Sequence, residues 1–259
     1  MQVTLIGSEG FVGSAFRRLL EARPDIKMTS VTIDNYAQER GRQSDVVIDA
    51  SGNSKKFLAD EDPLKDFDLS VTHRLHTLID FPGKVHLHIS SVDVYQDLSS
   101  QITTMEETAI DHSRQSRYGF HKLLAEELVE KYASEWLIFR LAGMVGPNLQ
   151  KNPIYDILHN QPLRIHPDSL YQFIHTDQVA QICWTVFEMG LRQIKLNVCA
   201  QKLISPRKIA CILGRTLDLS LLQKDTIPRI VDVNSDRLAG YLKVPITTDV
   251  IHSFLQSFS

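Results

Sequence analysis

A tyrosine and a lysine four residues apart, Tyr118 and Lys122, form a pair that could move a proton. On a helix this spacing puts both side chains on one face, so the ammonium lies near the phenol oxygen. A free tyrosine has a pKa near ~10, and lowering it by about three units takes roughly 4 kcal/mol of preferential stabilisation of the phenolate. The lysine and a positively charged cofactor ring can supply that stabilisation, which would make the tyrosine a general base. An ordinary surface pair is the alternative.

Two serines end an apolar segment that is typical of a buried strand, Val85–Ile89 followed by Ser90 and Ser91. In an open parallel sheet, ligands bind beyond the carboxyl ends of the strands. We therefore predict that Ser91 hydrogen-bonds a substrate hydroxyl or carbonyl and holds it against Tyr118. A serine that only caps the strand end is the alternative.

Three glycines near the amino terminus are suited to bind a pyrophosphate. A strand-like segment runs into Gly7, Gly10 and Gly13 in the spacing G-x-x-G-x-x-G, and a helix-like segment follows. The glycines allow a sharp turn and a close approach of backbone N–H groups, and the amino end of the helix stabilises the anion. The predicted cofactor site includes Phe11 and Val12 of this turn. A tight turn without a ligand is the alternative.

Asp34 follows the second predicted strand, 21 positions after the last of these glycines. A carboxylate there can accept hydrogen bonds from the adenosine ribose and would repel a 2′-phosphate, so the predicted cofactor is NAD. Arg40 and Arg42 could bind a 2′-phosphate, which leaves NADP possible. The predicted cofactor site also includes Asn35 and Ala50.

The elements that must position these residues alternate between short β-branched runs and amphipathic stretches, a pattern typical of βαβ units and a parallel sheet. The predicted strands are Gln2–Ile6, Met28–Ile33, Val46–Ala50, Val85–Ile89, Trp136–Arg140 and Ile194–Val198. The predicted helices are Phe11–Ala22, Tyr36–Gly41, Pro63–Ile79, Ser116–Ser134, Val179–Met189 and Pro206–Leu213. The fold class is α/β, with a doubly wound parallel sheet. We expect a cofactor-binding domain over residues 1–147 and a reduced lobe over 148–259 that packs on it, with some segments returning to the sheet.

The composition narrows the function classes. The 259 residues are 43% hydrophobic and 23% charged, with a net charge of −3, which excludes a disordered, collagen-like or strongly basic nucleic-acid-binding protein. No apolar run approaches the roughly 20 residues that cross a bilayer, so we expect a soluble, cytoplasmic protein with neither a membrane nor a nucleic acid as partner. Three cysteines without a close pair favour a reducing compartment. The histidine pairs lack a carboxylate at ligand spacing, so no metal site is predicted.

Together these motifs resemble the short-chain dehydrogenase/reductase superfamily, in its extended branch of NAD-dependent epimerases and dehydratases. The resemblance covers nearly the whole chain. The residues that carry it are Gly7, Gly10 and Gly13; Asp34-Asn35; Ser90-Ser91 before Tyr95; Tyr118-Gly119 with Lys122 and Glu126; Arg140 before Gly146-Pro147; and Phe173–Ala180. It implies a Rossmann sheet with a small C-terminal substrate lobe, the catalytic residues Ser91, Tyr118 and Lys122, and a homodimer.

The activity implied by this resemblance is that of an NAD-linked oxidoreductase or epimerase acting on a sugar or nucleotide-sugar hydroxyl or carbonyl. Tyr118 would take the hydroxyl proton as a hydride leaves the same carbon, Ser91 would position the oxygen, and Lys122 would hold the phenolate and the nicotinamide ribose. Asp93 and Arg140 are predicted substrate contacts. The alternative is a regulator or scaffold of the same fold that binds NAD and catalyses nothing.

Several residues depart from the family pattern. Tyr171 stands where sugar-nucleotide enzymes often carry an arginine that contacts the pyrophosphate, and the segment Pro147–Phe173 is short. Asp93 matches the position of a dehydratase glutamate, but Val92 replaces the neighbouring acid, which disfavours dehydration. Asp49 replaces the histidine of the family's H-L-A-A, and no chemistry is assigned to it.

Overall fold

Six parallel strands form the main sheet of the computed structural model, which describes residues 1–257. The strands of the chain are β1 Gln2–Ile6, β2 Lys27–Val31, β3 Ser44–Asp49, β4 Gly83–Ser91, β5 Glu135–Leu141, β6 Gly143–Val145, β7 Phe173–His175 and β8 Ile194–Val198. The sheet order is β2-β1-β3-β4-β5-β8, and β6 pairs with β7 in a separate two-stranded parallel sheet. The predicted doubly wound parallel sheet is confirmed, because each predicted strand lies within a few residues of an observed one.

The helices connect these strands. They are α1 Gly13–Glu21, α2 Tyr36–Glu39, α3 Leu58–Glu61, α4 Pro63–Phe67, α5 His73–Asp80, α6 Arg117–Tyr132, α7 Pro153–Leu158, α8 Thr176–Glu188, α9 Pro206–Ile212, α10 Asp236–Ala239 and α11 Thr247–Gln256. The single helix predicted over Pro63–Ile79 is instead α4, a π-helical turn over Asp68–Thr72, and α5. No helix within residues 1–257 is long and apolar enough to cross a membrane.

The strand order reverses between β1 and β3. From β1 the chain passes to β2 on one side and then returns to β3 on the other side. In sheets of this kind, ligands bind in the crevice beyond the carboxyl ends of the strands at such a reversal. The glycine turn after β1 and the loop after β3 both lie at this edge, which is where such sheets bind their ligands.

The chain divides into two compact units. The first comprises Met1–Gln96, Ala109–Leu141 and Asp177–Val198, and the second comprises Asp97–Thr108, Ala142–Thr176 and the chain from Cys199 onward. The first unit contains the six-stranded sheet, and the second contains β6 and β7. This division differs from the prediction of 1–147 and 148–259, because Asp97–Thr108 belongs to the second unit. There the Thr104 hydroxyl accepts the backbone N–H of Asn234 at 2.9 Å.

One face of β4 is polar although it is buried. Side chains alternate across a strand, so His86, His88 and Ser90 share a face, and all three are under 9% exposed. Leu87 and Ile89 point to the other face among apolar neighbours. The sheet is therefore apolar on one side of β4 and carries hydrogen-bonding groups on the other.

Candidate active site

The glycine turn is shaped to receive an anion. Gly7 has a φ of +78°, and a Cβ on Gly13 would overlap the Gly7 carbonyl oxygen, so backbone passes close to backbone here. No side chain caps the amino end of α1, where Val12 is the N-cap residue. The Ser8 hydroxyl in the turn is buried and has no hydrogen-bond partner within residues 1–257. A close-packed glycine turn that runs into a helix without a side-chain cap fits a dinucleotide pyrophosphate.

Asp34 is exposed beyond the end of β2. The two arginines that could favour a 2′-phosphate have carboxylate partners of their own. Arg40 Nε lies 2.8 Å from Asp80, and Arg42 lies 2.6 Å from Glu39. A 2′-phosphate would have to draw either guanidinium away from its partner, so this arrangement favours NAD.

The other predicted cofactor residues lie along the same edge of the sheet. Asn35 holds the turn after β2, since its Oδ1 accepts the Thr32 N–H at 2.7 Å and its Nδ2 donates to the Ser30 carbonyl at 2.9 Å. Ala50 follows β3 and donates its backbone N–H to the Ile6 carbonyl at 3.0 Å. Phe11 and Val12 are half-buried in the glycine turn. Contact of these residues with the cofactor stays a prediction.

Helix α6 brings the tyrosine and lysine to the end of β4. The Ser116 hydroxyl accepts the Gly119 N–H at 3.1 Å and fixes the start of the helix. A Cβ on Gly119 would overlap the Asp93 carbonyl oxygen, so only glycine lets this turn approach the segment after β4. Tyr118 and Lys122 are both buried, with the Lys122 Nζ 5.5 Å from the centre of the Tyr118 ring. The predicted helical pair therefore lies beside the residues that follow β4.

The surroundings of Tyr118 favour its neutral form. Burial raises its pKa, the negative charges of Asp93 and Asp66 raise it further, and a hydrogen bond with Ser91 lowers it. The phenol also donates to the Asn53 carbonyl at 3.4 Å. Ser91 and Tyr118 thus meet, as the sequence predicts, but a proton acceptor here needs added positive charge.

Asp93 is a nearly buried carboxylate beside Ser91. Its Oδ2 accepts the Ser91 hydroxyl at 2.8 Å, and the Lys56 ammonium lies 2.6 Å from the same carboxylate. Asp93 is 8% exposed, so the predicted contact with substrate requires a group that reaches beside Ser91. That contact stays a prediction.

A second carboxylate lies beneath the tyrosine. Asp66 of α4 is fully buried, and its two oxygens lie 2.6 Å from Asn53 Nδ2 and 2.7 Å from His121 Nδ1. The backbone carbonyl oxygen of Asn53 also accepts the hydrogen bond of the Tyr118 hydroxyl. These contacts tie the loop after β3 to α6 and hold that carbonyl at the tyrosine.

Arg140 is not placed to contact a substrate. It is 2% exposed, its Nη2 lies 2.7 Å from the fully buried Glu126, and its Nη1 donates to the Tyr95 hydroxyl at 2.9 Å. The guanidinium is occupied inside the protein, so the predicted substrate role is corrected to a structural one.

Asp49 likewise has an internal partner. It forms a buried ion pair with Arg74 of α5, and it accepts the Ser51 N–H at 3.0 Å. This aspartate therefore anchors the loop after β3, a role that its sequence position alone did not reveal. Within residues 1–257, no group of three or more His, Cys, Asp or Glu side chains could hold a metal ion.

Sequence reasoning missed four residues near the site, namely Lys56, Asn53, Asp66 and His121. Lys56 follows another lysine in an irregular loop, and nothing in its spacing marks it. Asp66 and His121 lie on helices separated by 55 positions, so only the fold brings them together. The sequence offered one signal for this cluster, namely that Asp66 is an acidic residue within a predicted helix.

The comparisons with known proteins show the family and the fold. The model of the NAD dependent epimerase/dehydratase family matches residues 3–199. No curated protein matches the sequence.

Solved structures share the fold at low sequence identity. A dTDP-4-dehydrorhamnose reductase from Clostridium acetobutylicum is 12% identical, with a TM-score of 0.81 over 100% of this chain and 99% of its own. UDP-glucuronic acid 4-epimerase from Bacillus cereus, solved with UDP-glucuronic acid and NAD, is 16% identical, with a TM-score of 0.78 over 100% of both chains. RMD from Pseudomonas aeruginosa, solved with NADPH, is 20% identical, with a TM-score of 0.77 over 100% of this chain and 99% of its own. Because the family model spans most of the sequence and the fold agrees, this chain belongs to the NAD-dependent epimerase/dehydratase family of extended short-chain dehydrogenases/reductases.

Proposed function

We propose that this protein is an NAD-dependent oxidoreductase or epimerase that acts on a hydroxyl or carbonyl of a sugar or nucleotide sugar. The observation that carries the proposal is that the partly buried Ser91 meets the buried Tyr118 and Lys122 at the end of β4, in a chain of this family. A protein that only binds a nucleotide has no physical need for that arrangement.

Each part of the chain has one task in the proposed reaction. The turn of Gly7, Gly10 and Gly13 holds the pyrophosphate, Asp34 the adenosine ribose, and Lys122 the nicotinamide ribose. When bound, NAD supplies the hydride chemistry. Tyr118 Oη takes the proton of the substrate hydroxyl during oxidation and returns it during reduction.

The electrostatics set the pH dependence of that proton transfer. Burial, Asp93 and Asp66 all raise the pKa of Tyr118, so the protein without cofactor holds it as the neutral phenol. Lys122 and the positive charge of the oxidised nicotinamide oppose these effects. Oxidation needs the phenolate, so its rate should rise with pH through an apparent pKa well below ~10.

The test is Tyr118→Phe, with Tyr132→Phe at the exposed end of the same helix as the matched control. Loss of general acid–base help typically lowers turnover by about 10² to 10⁴, or roughly 3 to 5 kcal/mol of barrier. Tyr118→Phe should therefore abolish the pH-dependent limb while NAD affinity holds, and Tyr132→Phe should change neither. Lys122→Met should weaken both turnover and cofactor binding.

Near-normal turnover by Tyr118→Phe on an identified substrate would end this proposal. Binding of NAD without turnover of any sugar would instead support the regulator or scaffold of the same fold.

The proposed cofactor is NAD, with NADP possible. Asp34→Ser would remove both the ribose hydrogen bonds and the repulsion of a 2′-phosphate, so it should narrow the gap between the affinities for NADH and NADPH. Fluorescence titration of both cofactors decides this. Equal affinities for NADH and NADPH in the unmodified protein would mean that Arg40 or Arg42 binds the 2′-phosphate of NADPH.

For the substrate, we propose a sugar or a nucleotide sugar. If the substrate carries a pyrophosphate, the protein binds that group without the arginine that many family members use. Burial raises the pKa of Tyr171 in the second unit, while a hydrogen bond with Ser169 and the positive charge of the nearby Arg229 lower it. Arg229 is exposed, and a guanidinium is a common partner of phosphate groups. UDP-, GDP- and dTDP-sugars should be compared by thermal shift with NAD present, in the unmodified protein and in Arg229→Ala. A ligand at one hundred times its dissociation constant adds about 2.7 kcal/mol to stability.

We also propose that the protein is a homodimer in the cytoplasm. Apolar side chains of the first unit stand exposed, with Phe57 at 54%, Leu64 at 79% and Ile79 at 61%. A second copy would cover them. Sedimentation of the unmodified protein should give a dimer and that of Ile79→Glu a monomer, and a monomer in both would refute the assembly.

A further inference from the structure

Lys56 has a place at the edge of the site that no motif predicts. Its Nζ lies 2.6 Å from the Asp93 carboxylate, and its side chain is 58% exposed while that of Asp93 is only 9% exposed. A nearly buried carboxylate is therefore neutralised by an ammonium that remains in contact with solvent.

The same carboxylate competes for a proton that the reaction needs. Ser91 donates its hydroxyl to Asp93 at 2.8 Å. A serine has one hydroxyl proton, so Ser91 cannot donate to Asp93 and to the Tyr118 phenolate at the same time. How strongly Asp93 holds that proton decides what Ser91 can offer to the tyrosine or to a substrate oxygen.

Charged groups from three elements face Tyr118. Lys122 lies on α6, the helix that carries Tyr118. Asp66 lies on α4 and contacts His121, and Asp93 follows β4. Asp66 is enclosed by its partners and is fully buried. Asp93 differs, because Lys56, which lies 2.6 Å from its carboxylate, comes from a solvent-exposed loop.

We propose that Lys56 is a positioning residue of this site. As the counter-ion of Asp93, it weakens the hold of the carboxylate on the Ser91 proton and reduces the negative charge that Tyr118 faces. Lys56 acts through Asp93 and touches neither substrate nor cofactor. The inference rests on the proposed function, since it takes Tyr118 as the group that gains and loses the proton.

Two substitutions have opposite consequences. Lys56→Met leaves the anion of Asp93 beside Ser91 and Tyr118 without its cation, so the phenolate becomes harder to form. Asp93→Asn removes the anion, so the phenolate becomes easier to form and Lys56 has nothing left to neutralise. Lys55, the exposed neighbour in the same loop, provides the control Lys55→Met.

The experiment titrates Tyr118 directly. Trifluorotyrosine, whose phenol is more acidic than that of tyrosine, is incorporated in place of tyrosine, and ¹⁹F NMR follows each ring with and without NAD. The Tyr118 resonance is assigned by its absence in Tyr118→Phe. Lys56→Met should raise the Tyr118 pKa by about one unit, the effect of a neighbouring charge. Lys55→Met should leave it unchanged.

A double substitution separates this role from a general disturbance of the loop. In the Asp93→Asn background, Lys56→Met should no longer move the Tyr118 resonance. An equal shift with and without Asp93, or equal shifts from Lys55→Met and Lys56→Met, would overturn the inference. No substrate is needed, so the outcome is independent of whether the proposed turnover is found.

Discussion

Ser90 and Ser91 are neighbours on β4 that donate to two carboxylates in different settings. Ser90 donates to Glu126 at 2.5 Å, and Ser91 donates to Asp93 at 2.8 Å. Glu126 is fully buried and pairs with the equally buried Arg140, whereas Asp93 pairs with the exposed Lys56. Because alternate residues of a strand face opposite sides, one step along the chain changes the surroundings from interior to site edge.

The two carboxylates differ in how firmly their surroundings hold them. Glu126 is held by Ser90 and by three nitrogen-to-oxygen contacts from Arg140, at 2.7, 3.1 and 3.2 Å. Removing either Arg140 or Glu126 leaves the charge of the other in the interior, so the pair resists change. Asp93 can lose its ammonium to water at a smaller cost, because Lys56 is already solvated.

The largest expected effect comes from breaking the interior pair. Arg140→Met leaves the buried Glu126 with only the more distant Lys195 ammonium, 3.9 Å away, which should lower the free energy of unfolding by about 3 to 5 kcal/mol. Urea unfolding measures this loss of stability. The control is Arg42→Met, which removes an exposed ion pair with Glu39. It is expected to cost about 0 to 1 kcal/mol.

The double variant Glu126→Leu/Arg140→Met should recover much of that loss, because it leaves no buried charge. If Arg140→Met and Arg42→Met destabilised the protein equally, the contrast between interior and edge would be wrong.

The next effect sharpens the contrast along the interior face of β4. Burial, with the charge of Arg74 as a second cause, lowers the pKa of His86 to about 4, and the same causes lower that of His88. These histidines stay neutral in the folded state while the unfolded chain binds protons below ~6.5. Stability is therefore complete above that pH and falls as the pH drops toward 4, by up to roughly 3 kcal/mol for His86.

Urea midpoints between pH 7.5 and 4.5 test this loss, since His86→Gln should flatten the acid slope. His252→Gln, at an exposed position on α11, is the matched control. An unchanged slope in His86→Gln would mean that carboxylates alone cause the acid sensitivity.

How far the sequence could predict these regions follows from the range of the interactions. The strands and the glycine turn were predictable because their signals are local, as with Gly7 and the apolar run of β4. Tyr118 and Ser91 could be matched because both carry family motifs. Lys56 could not, because its role exists only where its loop meets Asp93. Arg140 was assigned to substrate for a related reason, since its motif does not reveal that Glu126 occupies it.

The smallest expected effect on stability comes from the two serines themselves. Ser90→Ala removes a buried hydrogen bond to a charged carboxylate, so unfolding should become easier by about 1.5 to 3 kcal/mol while turnover stays near normal. Ser91→Ala should lower stability by only about 0.5 to 1.5 kcal/mol, because its hydrogen bonds with Asp93 lie at the partly buried site edge. Its turnover should instead fall roughly ten- to one hundredfold, the equivalent of one hydrogen bond to a charged group. Urea unfolding and steady-state kinetics are measured on both variants. If the interior and the edge have separate roles, Ser90→Ala has the larger effect on stability and Ser91→Ala the larger effect on turnover. Loss of stability and turnover together in both variants would show that the adjacent serines belong to one cluster, and the comparison would then fail.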